Sequence, residues 1–255
     1  MLSKNKIKYI QSLWKKKVRD ETGLFIAEGE KIITELMLSG FQFQSLISLK
    51  DRLNKFSTIN CEKLIATEAE LKKISLLSTP SSIIALCNQQ IDKLPDSTVK
   101  NDLTIVLDDI QDPGNFGTII RLASWFGIEQ IICSNNTVDC YNPKVIQATM
   151  GAIAHVKINY TDLNSFLTNS IKKDRIIYGT FMEGENIYQA NLTENAIIVF
   201  GNEGKGISQE LSGLINKKIT IPSYTNGKHS IESLNVSIAT SIVCSEFRRR
   251  KTSII

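Results

Sequence analysis

The chain has 255 residues and a mass of 28.5 kDa, enough for one large or two ordinary domains with a full hydrophobic core. Hydrophobic residues make up 42% and charged residues 22%, with 14 Gly and 5 Pro, which excludes collagenous, low-complexity and disordered classes. The net charge of +4 is unevenly spread: residues 1–20 hold seven bases against Asp20 alone, and 248–251 reads Arg-Arg-Arg-Lys, so these two stretches carry +10 and the rest −6. Such basic stretches suit a polyanion such as RNA or DNA, though solubility and a helix C-terminus that favours cations account for them too. No run approaches the roughly 18 apolar residues of a membrane span, and MLSKNKIKYIQSLWKKK lacks a secretory apolar core. The expectation is a cytoplasmic protein with no membrane contact. Five scattered cysteines, never in C-x-x-C spacing, suggest neither a disulfide framework nor a zinc site, and no metal is expected.

In chain order, residues 4–22 place Ile7, Ile10, Leu13, Trp14 and Val18 at helical spacing between bases, predicting one helix with an apolar stripe and a cationic face. GLFIAEG (23–29) reads as a strand and EKIITELMLSG (30–40) as a helix stopped by Gly40. QSLISL (44–49), LIAT (64–67) and SSIIALC (81–87) read as short strands, with a helical EAELKKISLL (68–77) before the last. The polar segment 88–102, interrupted by Pro95, reads as a linker, which divides the chain into a small α/β domain, 1–95, and a larger domain, 101–255. Beyond it strands alternate with helices. LTIVLDDI (103–110), EQIICS (129–134), AHVKINY (154–160), RIIYGTF (175–181), NAIIVFGNE (195–203) and KKITIPS (217–223) are the strands, and a last helix runs from about Ser233 to Arg250. Unbroken apolar runs such as IIVF belong to parallel strands covered on both faces, so the fold class is α/β with a mostly parallel sheet.

In such sheets ligands bind beyond the carboxyl ends of the strands, and three loops there are unusual. In DDIQDPGNFGTIIR (108–121) an Asp-Pro-Gly turn precedes Asn115, a candidate helix cap, and Arg121 follows inside the helix. In VFGNEGKGIS (199–208) three glycines surround Asn202, Glu203 and Lys205, a pattern that lets a ligand approach the backbone. It is not a dinucleotide fingerprint, because Gln209 stands where the third glycine is required, and it is not a phosphate loop of the G-x-x-x-x-G-K-[ST] kind. In IPSYTNGKHSIESLNVSIATSIV (221–243), Ser233 and Asn235 stand at the start of an apolar helix, where free backbone N–H groups can hold an anion. The lone His229 has no Ser or Asp pattern around it and reads as a polar surface residue.

Together, NFGTIIR (115–121), GNEGKGIS (201–208) and IPS…ESLNVSIA (221–239) resemble the three motifs of the SpoU (TrmH-like) RNA ribose 2′-O-methyltransferases of the SPOUT superfamily. KKKVRDETGLFIAEGEKIITEL (15–36) is similar to the small substrate-binding domain that precedes the catalytic domain in many members. The chain departs from the pattern in its third motif, where SYTNGKHSIE is longer than the usual connection and lacks the usual Met after Pro222.

The resemblance implies S-adenosylmethionine as methyl donor, a ribose 2′-hydroxyl of RNA as acceptor, a C-terminal trefoil knot, and a homodimer whose site is completed across the interface. It favours rRNA over tRNA because of the separate front domain. It carries Asn115, Arg121, Glu203, Ser233 and Asn235 as catalytic candidates, and Thr180, Gly201, Glu203, Ile221, Pro222 and Leu234 as cofactor contacts. A second reading, an RNA-binding protein that keeps the fold without the chemistry, is opposed by the retention of Asn115, Arg121, Glu203 and Asn235.

Overall fold

The apolar runs of the sequence become two separate sheets, one in each of two units. The computed structural model describes residues 1–90, 102–224 and 233–250. The linker around Pro95, the stretch of the third loop that holds His229, and Lys251 lie outside the described residues.

The first unit comprises Met1–Ile91 together with Asp139–His155, a grouping that a single cut in the linker does not produce. Its helices are α1 (Lys4–Ser12), α2 (Lys16–Thr22), α3 (Glu30–Leu38) and α4 (Glu68–Ile74), and its strands are β1 (Leu24–Glu28), β2 (Phe43–Ser48), β3 (Glu62–Ile65) and β4 (Ile83–Asn88). The strands lie in the order β1-β4-β2-β3, antiparallel except for β2 with β3. The single helix expected over 4–22 is two helices. The carbonyls of Leu13 and Trp14, which would accept from the next helical turn, accept instead from Arg19 Nη1 at 2.9 Å each. Arg19 is fully buried and turns its Nε and Nη2 onto Asp139 Oδ2 at 3.0 and 2.5 Å. Asp139 opens the inserted segment, which carries α6 (Pro143–Thr149) and packs α6 against β1 and the Tyr141 ring against Phe25, centroids 4.7 Å apart.

The second unit comprises Asp92–Val138 and Val156–Ile255. Its six strands, β5 (Thr104–Leu107), β6 (Gln130–Ser134), β7 (Lys157–Thr161), β8 (Ile176–Asn186), β9 (Ala196–Phe200) and β10 (Lys217–Thr220), are all parallel and lie in the order β10-β8-β9-β5-β6-β7. β5 and β9 are buried at every position, as central strands covered on both faces must be. Helix α7 (Leu163–Ile171) covers β6 and β8, with α8 (Gln209–Ser212) beside it. Helices α5 (Pro113–Trp125) and α9 (Val236–Arg249) pack on each other. From β5 the chain winds outward to β6 and β7, then crosses to β8 and returns to β9 beside β5. The winding therefore reverses between β5 and β9, and the loops that follow these two strands open a crevice at their carboxyl ends.

Candidate active site

Three chain segments meet at that crevice. The first is the loop after β5, where Asp108 N donates to Phe200 O at 2.9 Å and Asp109 adopts a left-handed φ of 59°, a conformation that costs a non-glycine residue energy and persists only where neighbours enforce it. They do so here: Asp109 N donates to Ser134 Oγ at 2.9 Å, and Asn202 Nδ2 donates to the Asp109 carbonyl at 2.7 Å. The second is the loop after β9, closed on itself by the paired backbones of Asn202 and Gly206, while Asn202 Oδ1 accepts from the N–H groups of Gly204 and Lys205 at 2.9 and 3.1 Å. A Cβ on Gly201 would stand 2.1 Å from backbone atoms of Gly206 and Ile207. The glycine at 201 is thus required by the loop's own closure rather than by a ligand approaching there. Ser208 N donates to Asp108 Oδ2 at 2.8 Å and fastens the two loops together.

The third segment is the entry to α9, and a chain of side-chain hydrogen bonds joins all three. Asn235 caps α9, its Oδ1 accepting from Ser237 N at 2.9 Å, Ile238 N at 3.4 Å and Ser237 Oγ at 2.7 Å. Because those donors claim the oxygen, the amide nitrogen must face the other way, and Nδ2 donates to Asn115 Oδ1 at 2.9 Å. That in turn fixes the Asn115 amide, whose Nδ2 donates to Glu203 Oε1 at 3.0 Å. The carboxylate also accepts from the backbone N–H groups of Gln111 and Asp112 at 3.5 and 3.4 Å, at the N-terminus of α5 where the helix dipole favours an anion.

The cap of α5 is Asp112, whose Oδ1 accepts from Asn115 N at 2.7 Å, and not Asn115 as the sequence alone suggests. Pro113 at the first helical position has no N–H to satisfy, so the residue before it reaches the third. This frees the Asn115 side chain for the chain just described. Ser233 is exposed and precedes the cap, and α9 starts at Val236 rather than at Ser233.

Arg121 is not drawn into this network. It lies six residues beyond Asn115 on α5, roughly 9 Å along the axis and about 240° around it. It is exposed, and has no hydrogen-bond or ion-pair partner among the described residues. Thr180 Oγ1 donates to Val199 O at 3.3 Å, Ile221 and Pro222 are half-buried just past β10, and Leu234 is 50% exposed beside the cap. Asp109 and Asn202, which brace the loops, are not among the site candidates that the resemblance carries. The signal for them was the pair of carboxylates at the end of a buried strand and the Asn between glycines, which asks for turn-forming hydrogen bonds.

A wholly parallel sheet whose two central loops and final helix converge on one polar crevice defines an α/β protein with a switch-point site. Residues 102–245 match the SpoU rRNA Methylase family, and residues 4–85 match the MRM3-like substrate binding domain. The chain belongs to the SpoU rRNA methylase family. It is 27% identical over 245 residues to the 23S rRNA (guanosine(2553)-2'-O)-methyltransferase RlmP of Bacillus subtilis, covering 95% of this chain and 96% of that protein. A TrmH-family structure from Porphyromonas gingivalis superposes with a TM-score of 0.89 at 38% identity over 98% of this chain and 99% of its own. The AdoMet-bound rRNA methyltransferase of Sinorhizobium meliloti does so with a TM-score of 0.89 at 26% identity over 99% and 97%. Among the described residues no group of three or more metal-type side chains forms, and no helix is long and apolar enough to cross a membrane.

Proposed function

We propose that the chain transfers the methyl group of S-adenosylmethionine to a ribose 2′-hydroxyl of RNA, with rRNA as the favoured substrate. The observation that carries this is the Glu203–Asn115–Asn235 chain, which links all three motif loops at one crevice. In this reading the front domain, 1–95, holds RNA, and 101–255 carries the chemistry in the cytoplasm.

The residues present suit the cofactor in kind. Half-exposed Ile221 and Pro222 after β10 and the exposed Leu234 side chain offer apolar surface for a nucleoside, and Thr180, which donates to Val199 O, stands with Gly201 and Glu203 at the end of β9. S-adenosylmethionine supplies a methyl group on a positively charged sulfur, which leaves as a neutral thioether. The protein's task is then mainly to hold the acceptor oxygen in line, so positioning dominates. Glu203 has both oxygens engaged by Asn115 and the α5 backbone, which makes it a positioning residue rather than a proton acceptor. A guanidinium offers donors and no acceptor, so Arg121 orients the ribose and its phosphate and stabilises charge there, and the hydroxyl proton leaves to phosphate or water. Ser233 shapes the entry beside Asn235.

An exposed Arg121 without partners among the described residues fits a site completed by a second copy. The same face of α5 carries Trp125, 84% exposed, and α9 carries Ile238, 52% exposed, apolar surface of the kind homodimers cover. The homodimer and a trefoil knot formed by the C-terminal stretch are part of this reading. The return of α9 to the β5 and β9 loops through Asn235 supports the knot.

The test is incubation of the purified protein with methyl-labelled S-adenosylmethionine and rRNA. Label is expected on ribose 2′-oxygens, where it makes the adjoining phosphodiester resistant to alkali, and Arg121→Ala is expected to slow transfer by about 100-fold or more. Absence of label from every RNA overturns the reading, and wild-type turnover by Arg121→Ala removes that residue from the mechanism.

A further inference from the structure

The sequence offers two basic stretches, and the structure treats them in opposite ways. The arginines of the C-terminal stretch are bound to their own unit. Arg248 meets Asp102 Oδ1 at 3.0 Å and donates to the carbonyls of Phe126 and Gly127 at 2.8 and 2.9 Å. Arg249 and Arg250 both hold Glu246 at 2.8 Å, and Arg250 also donates to the carbonyls of Ile187, Tyr188 and Ala190. Arg248 and Arg250 fasten α9 to its neighbours, while Arg249 is exposed and paired with Glu246 of its own helix.

The N-terminal stretch sorts differently. Lys6 pairs with Glu62 at 2.7 Å, Lys17 with Glu21 at 3.9 Å, and Arg19 is buried on Asp139. Lys4, Lys8, Lys15 and Lys16 are exposed and have no side-chain partner among the described residues, and the same holds for Lys72 and Lys73 at the end of α4. Four of them, Lys4, Lys8, Lys72 and Lys73, come from two helices that pack together. Lys4, Lys8 and Gln11 are spaced i, i+4, i+7 and share a face of α1, and Gln11 Nε2 donates to the Lys73 carbonyl at 2.7 Å, which sets the end of α4 against that face. The acid between them, Glu70, is turned inward and accepts from Leu2 N and Thr67 N at 2.8 Å each. Among the described residues, only Asp20 and Glu68 remain as exposed, unpaired acids on these helices.

Resting on the reading above that the substrate is RNA, we propose that this surface is where the first unit holds the phosphate backbone of RNA, and that Arg248–Arg250, paired with groups of their own unit, is not an RNA contact. Unpaired lysines on long stems suit phosphates because each neutralised phosphate releases a condensed counterion. They carry no fixed geometry for reading bases, so the surface contributes grip rather than sequence choice.

The full chain and a Lys4→Gln, Lys8→Gln, Lys72→Gln, Lys73→Gln variant are titrated with a fluorescent RNA hairpin and with a fluorescent polyglutamate peptide across a sodium chloride series. In the variant the slope of log Kd against log salt is expected to fall by about 3, and Kd for RNA to rise at least about tenfold. Arg249→Gln is expected to leave both unchanged. Thermal melting serves as the folding control, since exposed lysines without partners contribute little to stability. An RNA slope equal to wild type in the folded variant overturns the proposal, as does a loss confined to polyglutamate, which would assign the surface to an acidic protein. Methyl transfer to rRNA separates this proposal from the functional reading. The variant should raise KM for RNA while keeping kcat, whereas a wild-type protein that methylates no RNA removes the enzymatic reading and leaves the binding slope to judge this one.

Discussion

Asn235 holds two connections that substitution can separate. Its oxygen caps α9 and its nitrogen reaches Asn115. Serine can still accept from the helix backbone but has no donor long enough for Asn115. Asn235→Ser is therefore expected to keep stability within a few tenths of a kcal/mol, while Asn235→Ala loses about 1 kcal/mol of capping. Both are expected to slow methyl transfer by about 100-fold through misplacement of Asn115 and Glu203. Urea midpoints and single-turnover rates check this, and a serine variant with wild-type turnover would remove the amide–amide bond from the mechanism. The residue types were legible in the motifs. Their bonding was not, because the partners are 88 and 120 positions apart and because the choice of Asp112 as cap depended on where Pro113 fell in the helix.

At the scale of elements, the Arg19–Asp139 pair fixes the break between α1 and α2 and the docking of the inserted segment within one unit. Asp139→Ala would leave a buried guanidinium with no counter-charge, a change expected to cost about 3–5 kcal/mol, whereas replacing both partners by Met and Leu should recover most of that. Denaturant unfolding of the two variants decides it, and a single variant as stable as wild type would show that the pair does not hold the segment. The strands of the parallel sheet were legible from their apolar runs. The two-helix start was not, since the spacing of Ile7, Ile10, Leu13, Trp14 and Val18 is helical throughout and the interruption comes from a side chain that takes the Leu13 and Trp14 carbonyls.

For the whole molecule, the separation of Arg121 from the Glu203 network is the observation that the proposed homodimer would account for. If each site takes Glu203 from one protomer and Arg121 from its partner, mixing inactive Arg121→Ala and Glu203→Ala proteins after subunit exchange restores about a quarter of wild-type activity, because half the dimers are mixed and each holds one intact site. No recovery despite demonstrated exchange would place both groups in the same chain's site. Periodicity and loop composition determined by themselves an α/β chain with a parallel sheet and three suspect loops, since strand burial and turn chemistry are local properties of neighbouring residues. Only the tertiary structure decided that β9 returns beside β5, which brings Glu203 to Asn115, and that Arg248, Arg249 and Arg250 are spent on their own carbonyls and carboxylates while Lys4, Lys8, Lys72 and Lys73 are not. A charge in a sequence has a sign but no partner until the chain folds back on itself, and pairing is what decides whether that charge meets its own fold or another molecule.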